Sequence, residues 1–133
     1  MKKYLLHAIT AGALAGIAGV VYLQIYQSLY LVDYSLVISA PAIVSSSFIG
    51  TILMSLGYFA ADRLRKPTLR IVLNLVFILL SFLSILPVML MSLPLEVEFP
   101  ELFPGLAVPM HFFPALFFLG VSPVFYKLDV RNE

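Results

Sequence analysis

Cysteine is missing from the sequence, which excludes disulfides, thiolate nucleophiles and thiolate metal sites. Charge is scarce: acidic and basic side chains make up 11% of the chain and gather at 2–3, 33, 62–70, 96–101 and 127–133. No carboxylate lies inside the uncharged stretches 4–32, 34–61, 71–95 and 102–126. That counts against a proton-coupled exporter, which exchanges a proton on an intramembrane acid for its substrate. A net charge of +1, with the basic residues divided among three short segments, gives nucleic acid no patch to bind. Phosphate- and dinucleotide-binding glycine loops are absent, because Gly12, Gly16 and Gly19 sit within an apolar run that no strand precedes. Ser45, Ser46 and Ser47 have neither a neighbouring His or Lys nor a glycine-flanked nucleophile pattern, so serine catalysis has little support. No internal repeat suggests an inverted-repeat transporter.

What the sequence does have is apolar length. Hydrophobic residues make up 62% of 133 positions and the mean hydropathy is +1.05, more than a soluble domain of this size can bury. A hydrocarbon core of roughly 30 Å needs about 20 helical residues, and only helices or closed barrels satisfy their backbone inside it. The alternating ten-residue segments of a barrel are missing. The expected fold is therefore all-α: one membrane domain over 1–133, a transmembrane four-helix bundle with spans near 4–30, 39–61, 68–92 and 108–126. Lys2 and Lys3 before an apolar run resemble a signal peptide, but the run continues to Val32, so it reads as a retained first span. With four spans, Lys2, Lys3, Arg63, Arg65, Lys66, Arg70, Lys127 and Arg131 all fall on one side, which predicts N and C termini in the cytoplasm of a cell with an inner membrane. The opposite loops carry Asp33 and, in the outer loop 93–107, Glu96, Glu98 and Glu101. Pro94, Pro100 and Pro104 are expected to keep that loop from being helical, and the alternation of 95–99 reads as a short extended segment resting at the interface.

At about 100° per residue, small and polar side chains share a face in each span. In the first these are Ala8, Gly12, Gly16, Gly19, Leu23, Gln27 and Tyr30; in the second Ser39, Ser46, Gly50, Leu53 and Gly57. The third offers Asn74, Ser81, Ile85 and Ser92, and the fourth His111, Ala115, Phe118 and Ser122. Helices associate in lipid through close approach at small residues and hydrogen bonds between polar ones, so these stripes are the expected contacts. Gly12 and Gly16 are expected to pack within the bundle, with a homodimer seam as the alternative. Pro87, Pro114 and Pro123 free carbonyls that Ser or Tyr can satisfy.

Polar groups at membrane depth are costly, and Gln24, Gln27, Asp33, Ser46 and His111 concentrate in the outer half. They define a candidate outward-facing ligand pocket, with Gln27 and His111 expected to face it. His111 reads either as a ligand or proton acceptor or as a hydrogen-bonded residue at the membrane boundary. Met89, Met91 and Met110 with His111 would suit Cu(I), but Met89 and Met91 point about 200° apart on a helix, so no metal or other cofactor is expected.

The segment Ser81-Phe82-Leu83-Ser84-Ile85-Leu86-Pro87, with Met110-His111-Phe112, resembles an uncharacterised family of small bacterial four-span membrane proteins known as a domain of unknown function. The resemblance covers the latter half of the chain and implies an architecture and a focus on His111. With no catalytic constellation, the expected role is non-enzymatic: an accessory or structural subunit of a membrane complex that binds a lipid-like ligand from the outer leaflet. The alternative is a small oligomeric transporter or channel subunit with an outward-facing polar pocket. Expected partners are the bilayer and a second copy or a larger membrane protein. A membrane enzyme using His111 with Asp33 or a loop glutamate ranks third.

Overall fold

A computed structural model describes residues 1–66 and 68–126; Lys127, Arg131 and the expected position of the C terminus lie outside the described residues. The described chain is all helical. It comprises α1 (Lys2–Tyr30), α2 (Ala40–Arg63), α3 (Thr68–Leu83), α4 (Ile85–Leu90) and, after a 3-10 turn at Pro100–Leu102, α5 (Phe103–Phe125). Counting α3 with α4, and α5 with its leading turn, four helical segments are long and apolar enough to cross a membrane. α1 runs through the middle, packed along α2 and α5, and α3 lies at the periphery against both of these.

Where the helices stop follows from local chemistry. α1 ends with Leu31 in the left-handed conformation (φ 54°), and Val32 N–H reaches back to the Gln27 carbonyl at 3.2 Å. This is the hydrogen bond that usually accompanies glycine at such a cap; burial of Val32 and Tyr34 just beyond holds leucine there. α2 opens with Pro41 in its first turn, where a missing amide costs nothing, and closes through Arg65 (φ 51°) with Lys66 N–H bonded to Ala61 O. The third span is not continuous. Pro87 cannot donate to the Leu83 carbonyl, and the helix breaks at Ser84 before resuming as α4 and ending at Leu90.

The outer loop differs from the reading of its prolines and its alternation. Pro100 and Pro104 stand in first helical turns, where proline is favourable, so the last helix begins at Phe103 rather than near Val108. Residues 94–97 form a turn in place of an extended segment, closed by Val97 N–H to Pro94 O at 3.1 Å, and Val97 is buried in one cluster with Tyr34 and Phe103. Three tyrosines from α1 and the loop after it fasten this region: Tyr22, Tyr26 and Tyr34 hydroxyls donate to the carbonyls of Gly105, Leu102 and Phe99 at 2.8, 2.7 and 2.9 Å. Gly105 O is free to accept because Pro109, four residues on, has no N–H. At the other end Pro123 likewise frees Leu119 O, and Ser122 Oγ takes it at 2.9 Å.

The helix contacts bury part of one stripe and rotate another. Ala8, Gly12, Gly16, Gly19 and Leu23 are buried along α1, but Gln27 is half-exposed and Tyr30 exposed. A Cβ on Gly12 would stand 2.7 Å from Thr51 Oγ1 and 3.2 Å from the Phe48 Cα, and one on Gly16 3.3 Å from the Val44 Cα. The Gly12 and Gly16 seam is thus filled by α2 of the same chain, which removes it as a homodimer surface. On α2 the buried face is Ile43, Ser47, Thr51, Ser55 and Tyr58, one residue round from the expected stripe of Ser46, Gly50 and Leu53. The glycine groove of α1 explains the rotation, because it takes the β-branched and hydroxyl side chains of α2 edge-on. Gly57 does pack, with Phe77 Cζ 3.3 Å from where its Cβ would be.

The N terminus and the α2–α3 loop lie together at one end, bringing Lys2, Lys3, Arg63, Arg65, Lys66 and Arg70 to it; Asp33, Glu96, Glu98 and Glu101 belong to the other. Apolar clusters close each end, one around Tyr34, Phe103 and Leu106 and one around Tyr58, Phe77 and Phe118.

Candidate functional site

Rotation of α2 turns Ser46 and Gly50 toward a gap, where Gly50 meets only Pro114 of α5. Ser46 and Gly50 on α2 look toward Ser81 and Ser84 on the third span, and none of these fills the space between. The result is a cavity of about 700 Å³ walled by α1, α2, α3 and α5, reaching from mid-bundle toward the acidic end. Ile38, Ile43, Phe77, Met110, Phe113 and Pro114 are among its apolar lining, with Gly19 and Gly50 beside them. Its exposed rim includes Ser46, Leu53 and Leu80, all well inside helices, so the opening lies on the side of the bundle between α2 and α3 rather than at an end.

Each polar side chain in this lining has its proton engaged elsewhere. Ser46 and Ser47 hydroxyls donate to Ile43 O at 3.0 and 2.8 Å, Ser81 to Phe77 O at 3.0 Å and Ser84 to Ser81 O at 2.7 Å. His111 Nδ1 is 2.8 Å from Ala107 O; a carbonyl can only accept, so Nδ1 carries the hydrogen and the neutral ring keeps its lone pair on Nε2. No described residue engages Nε2.

Of the candidate ligand residues, His111 and Ser46 line the cavity together with Gly19 and Gly50. Gln24, Gln27 and Asp33 do not. Gln24 is exposed, Gln27 Nε2 approaches Asp33 Oδ1 at 3.5 Å, and Asp33 accepts from Ser35 N–H at 2.8 Å and from its hydroxyl at 3.1 Å. Asp33 therefore shapes the turn after α1, and Gln27 faces that turn rather than His111. Tyr34 in the same loop is fully buried, which pushes its pKa up and keeps its hydroxyl a donor to Phe99. Met110 lines the cavity, but Met89 and Met91 are exposed. Among the described residues no group of three His, Asp or Glu converges as a metal site would need.

A second polar assembly, at the basic end, escaped the sequence reading. His7 is completely buried: Nε2 donates to Phe118 O at 2.8 Å, Tyr126 Oη lies 3.4 Å from Nδ1, and the ring stacks on Phe118 at 4.0 Å between centroids. Asp62, which reads from the sequence as part of a charged loop, turns inward. It accepts from the Tyr4 hydroxyl and pairs with Arg70, with Lys3 3.9 Å away. The Arg70 guanidinium lies over the Tyr126 ring at 4.4 Å, and Asn74 accepts from Tyr58. The available signal is spacing: Tyr58 and Asp62, like Arg70 and Asn74, are four residues apart and so share a helix face. These rings and charges plug the bundle below the cavity.

Four helices of membrane-crossing length, tied at the basic end and parted along one side, are the architecture of a multi-pass helical membrane protein. No family model, curated protein or solved structure matches the chain.

Proposed function

We propose that this chain is a multi-pass protein of a bacterial inner membrane, oriented with its basic end in the cytoplasm, and that it holds a lipid-like amphiphile taken laterally from the outer leaflet. The observation that carries this reading is the cavity: apolar, within the roughly 300–1,000 Å³ of small-molecule sites, and open at bilayer depth beside a lone imidazole. A soluble ligand would need a mouth at an end of the bundle. The orientation rests on the basic residues among the described ones: Lys2, Lys3, Arg63, Arg65, Lys66 and Arg70 share one end of the bundle. The plug around His7, Tyr58 and Arg70 favours a binder over the transporter or channel alternative, because it blocks continuation from the cavity to the basic end of a single chain.

An accessory role fits alongside binding. α3 turns Ile71, Leu75, Ile78, Leu79 and Phe82 outward, an apolar face that acyl chains or a partner's helix would cover.

Gly50→Leu tests the binding role. A Cβ there meets Pro114 at an ordinary 3.5 Å, so the backbone tolerates it while the added methyls occupy the cavity. In native mass spectra of protein extracted from membranes, the wild type is expected to carry a small amphiphile, and Gly50→Leu to carry about tenfold less at equal insertion, a loss of ~1.4 kcal/mol. Equal retention by the variant, or none by the wild type, would refute it.

A further inference from the structure

The cavity's polar lining consists entirely of acceptors, and from this we infer that its ligand is a hydroxyl-headed lipid that supplies the hydrogen-bond donor itself. This inference rests on the binding role proposed above and narrows it to one head-group chemistry. Every hydroxyl in the lining, from Ser46, Ser47, Ser81 and Ser84, spends its proton on a carbonyl of its own helix and turns only oxygen lone pairs outward. His111 does the same with Nδ1 and presents the Nε2 lone pair. The backbone adds to the set: Pro114 removes the amide that would bond Met110 O in a regular helix, no described side chain replaces it, and both residues are in the wall.

A head group offering only acceptors, such as an ether, ester or ketone, would bring lone pairs against lone pairs and lose its water for nothing in return. A hydroxyl makes the missing bond. An ammonium also donates, but among the described lining residues there is no carboxylate to balance its charge at that depth. Selection by an unpaired polar group is stronger than selection by an apolar wall, which discriminates poorly between heads of similar size.

The test compares a long-chain primary alcohol with its methyl ether, identical in chain and lacking only the O–H, for displacement of a fluorescent acyl probe from the full chain in nanodiscs. The alcohol is expected to displace the probe at about 3- to 10-fold lower concentration than the ether, the value of one hydrogen bond. In His111→Phe, which keeps a planar ring, that preference should fall to about 1- to 2-fold while the ether binds as before; partition into the bilayer is common to both proteins and cancels. Equal displacement by alcohol and ether in the wild type overturns donor selection and leaves the binding role standing. An ammonium-headed analogue that outcompetes the alcohol overturns it as well. Failure of all of these amphiphiles to displace the probe removes the binding role, and the inference with it.

Discussion

Single atoms decide how closely the helices of this bundle approach. Gly12 lets α1 lie against the backbone of α2, where Thr51 is anchored by its own bonds to the Ser47 and Phe48 carbonyls at 3.0 and 3.1 Å and cannot step aside. Gly50 faces only Pro114 across an ordinary contact. The two glycines read alike in sequence, yet Gly12→Ala should destabilise the protein by about 1–3 kcal/mol through overpacking, and Gly50→Ala should stay within about 0.5 kcal/mol. Thermal unfolding in mild detergent measures both; equal effects would mean that α1 and α2 do not meet as described. His7 and His111 show the same dependence on surroundings. One is enclosed by Phe118, Phe125 and Tyr126, and the other lines a cavity with Nδ1 held by its own helix, although each is a lone histidine in an apolar run.

Among the four spans, the third, with α3 as its longer part, is the one held least. Toward the basic end it is secured by Asp62 to Arg70, Tyr58 to Asn74 and Phe77 against Gly57, and toward the acidic end the cavity separates it from α2. Asp62 also joins Tyr4 of α1, so one carboxylate ties three helices. Asp62→Asn leaves Arg70, whose buried Nε already lacks a partner among the described residues, without its counter-charge. Unfolding in detergent should show a loss of about 1–3 kcal/mol, short of the cost of a fully buried pair because both side chains are 26% exposed. Asp62→Leu combined with Arg70→Met should recover most of it, since an apolar pair carries no desolvation cost. A double variant as weak as the single one would show that the pairing itself, rather than the stranded charge, sets the docking of α3. Pro100 and Pro104, expected to break the last loop, open helical turns instead, whereas the count of spans was legible because charge acts locally. The inward turn of Asp62 was not, because its partner Tyr4 comes from a segment 58 residues away.

For the whole molecule, the absence of cysteine makes orientation open to direct test. Leu95 and Arg65 are exposed at opposite ends of the bundle. In intact spheroplasts a membrane-impermeant maleimide should label Leu95→Cys, and label Arg65→Cys only after permeabilisation, if the basic end is cytoplasmic. The reverse pattern would put the cavity mouth in the inner leaflet and move the proposed ligand source with it. Residues shared between the expected pocket and the cavity show how far a sequence carries at this scale. Of the residues expected in the pocket, His111 and Ser46 lie in the cavity wall, whereas Gln27 and Asp33, equally polar, bond to each other in a turn; Gly19 and Gly50, expected as packing residues, line the cavity too.

Hydropathy acts on each segment separately: the free energy of moving a residue into hydrocarbon adds along the chain, so the number of spans, their approximate ends and the α1 glycine face follow from the sequence alone. The rotation of a helix about its axis is not additive in that way. α2 carries two small, polar faces about 100° apart, and only the shape of α1 selects which is buried. That selection, made in three dimensions, opened the cavity and left its hydroxyls bonded to their own helices.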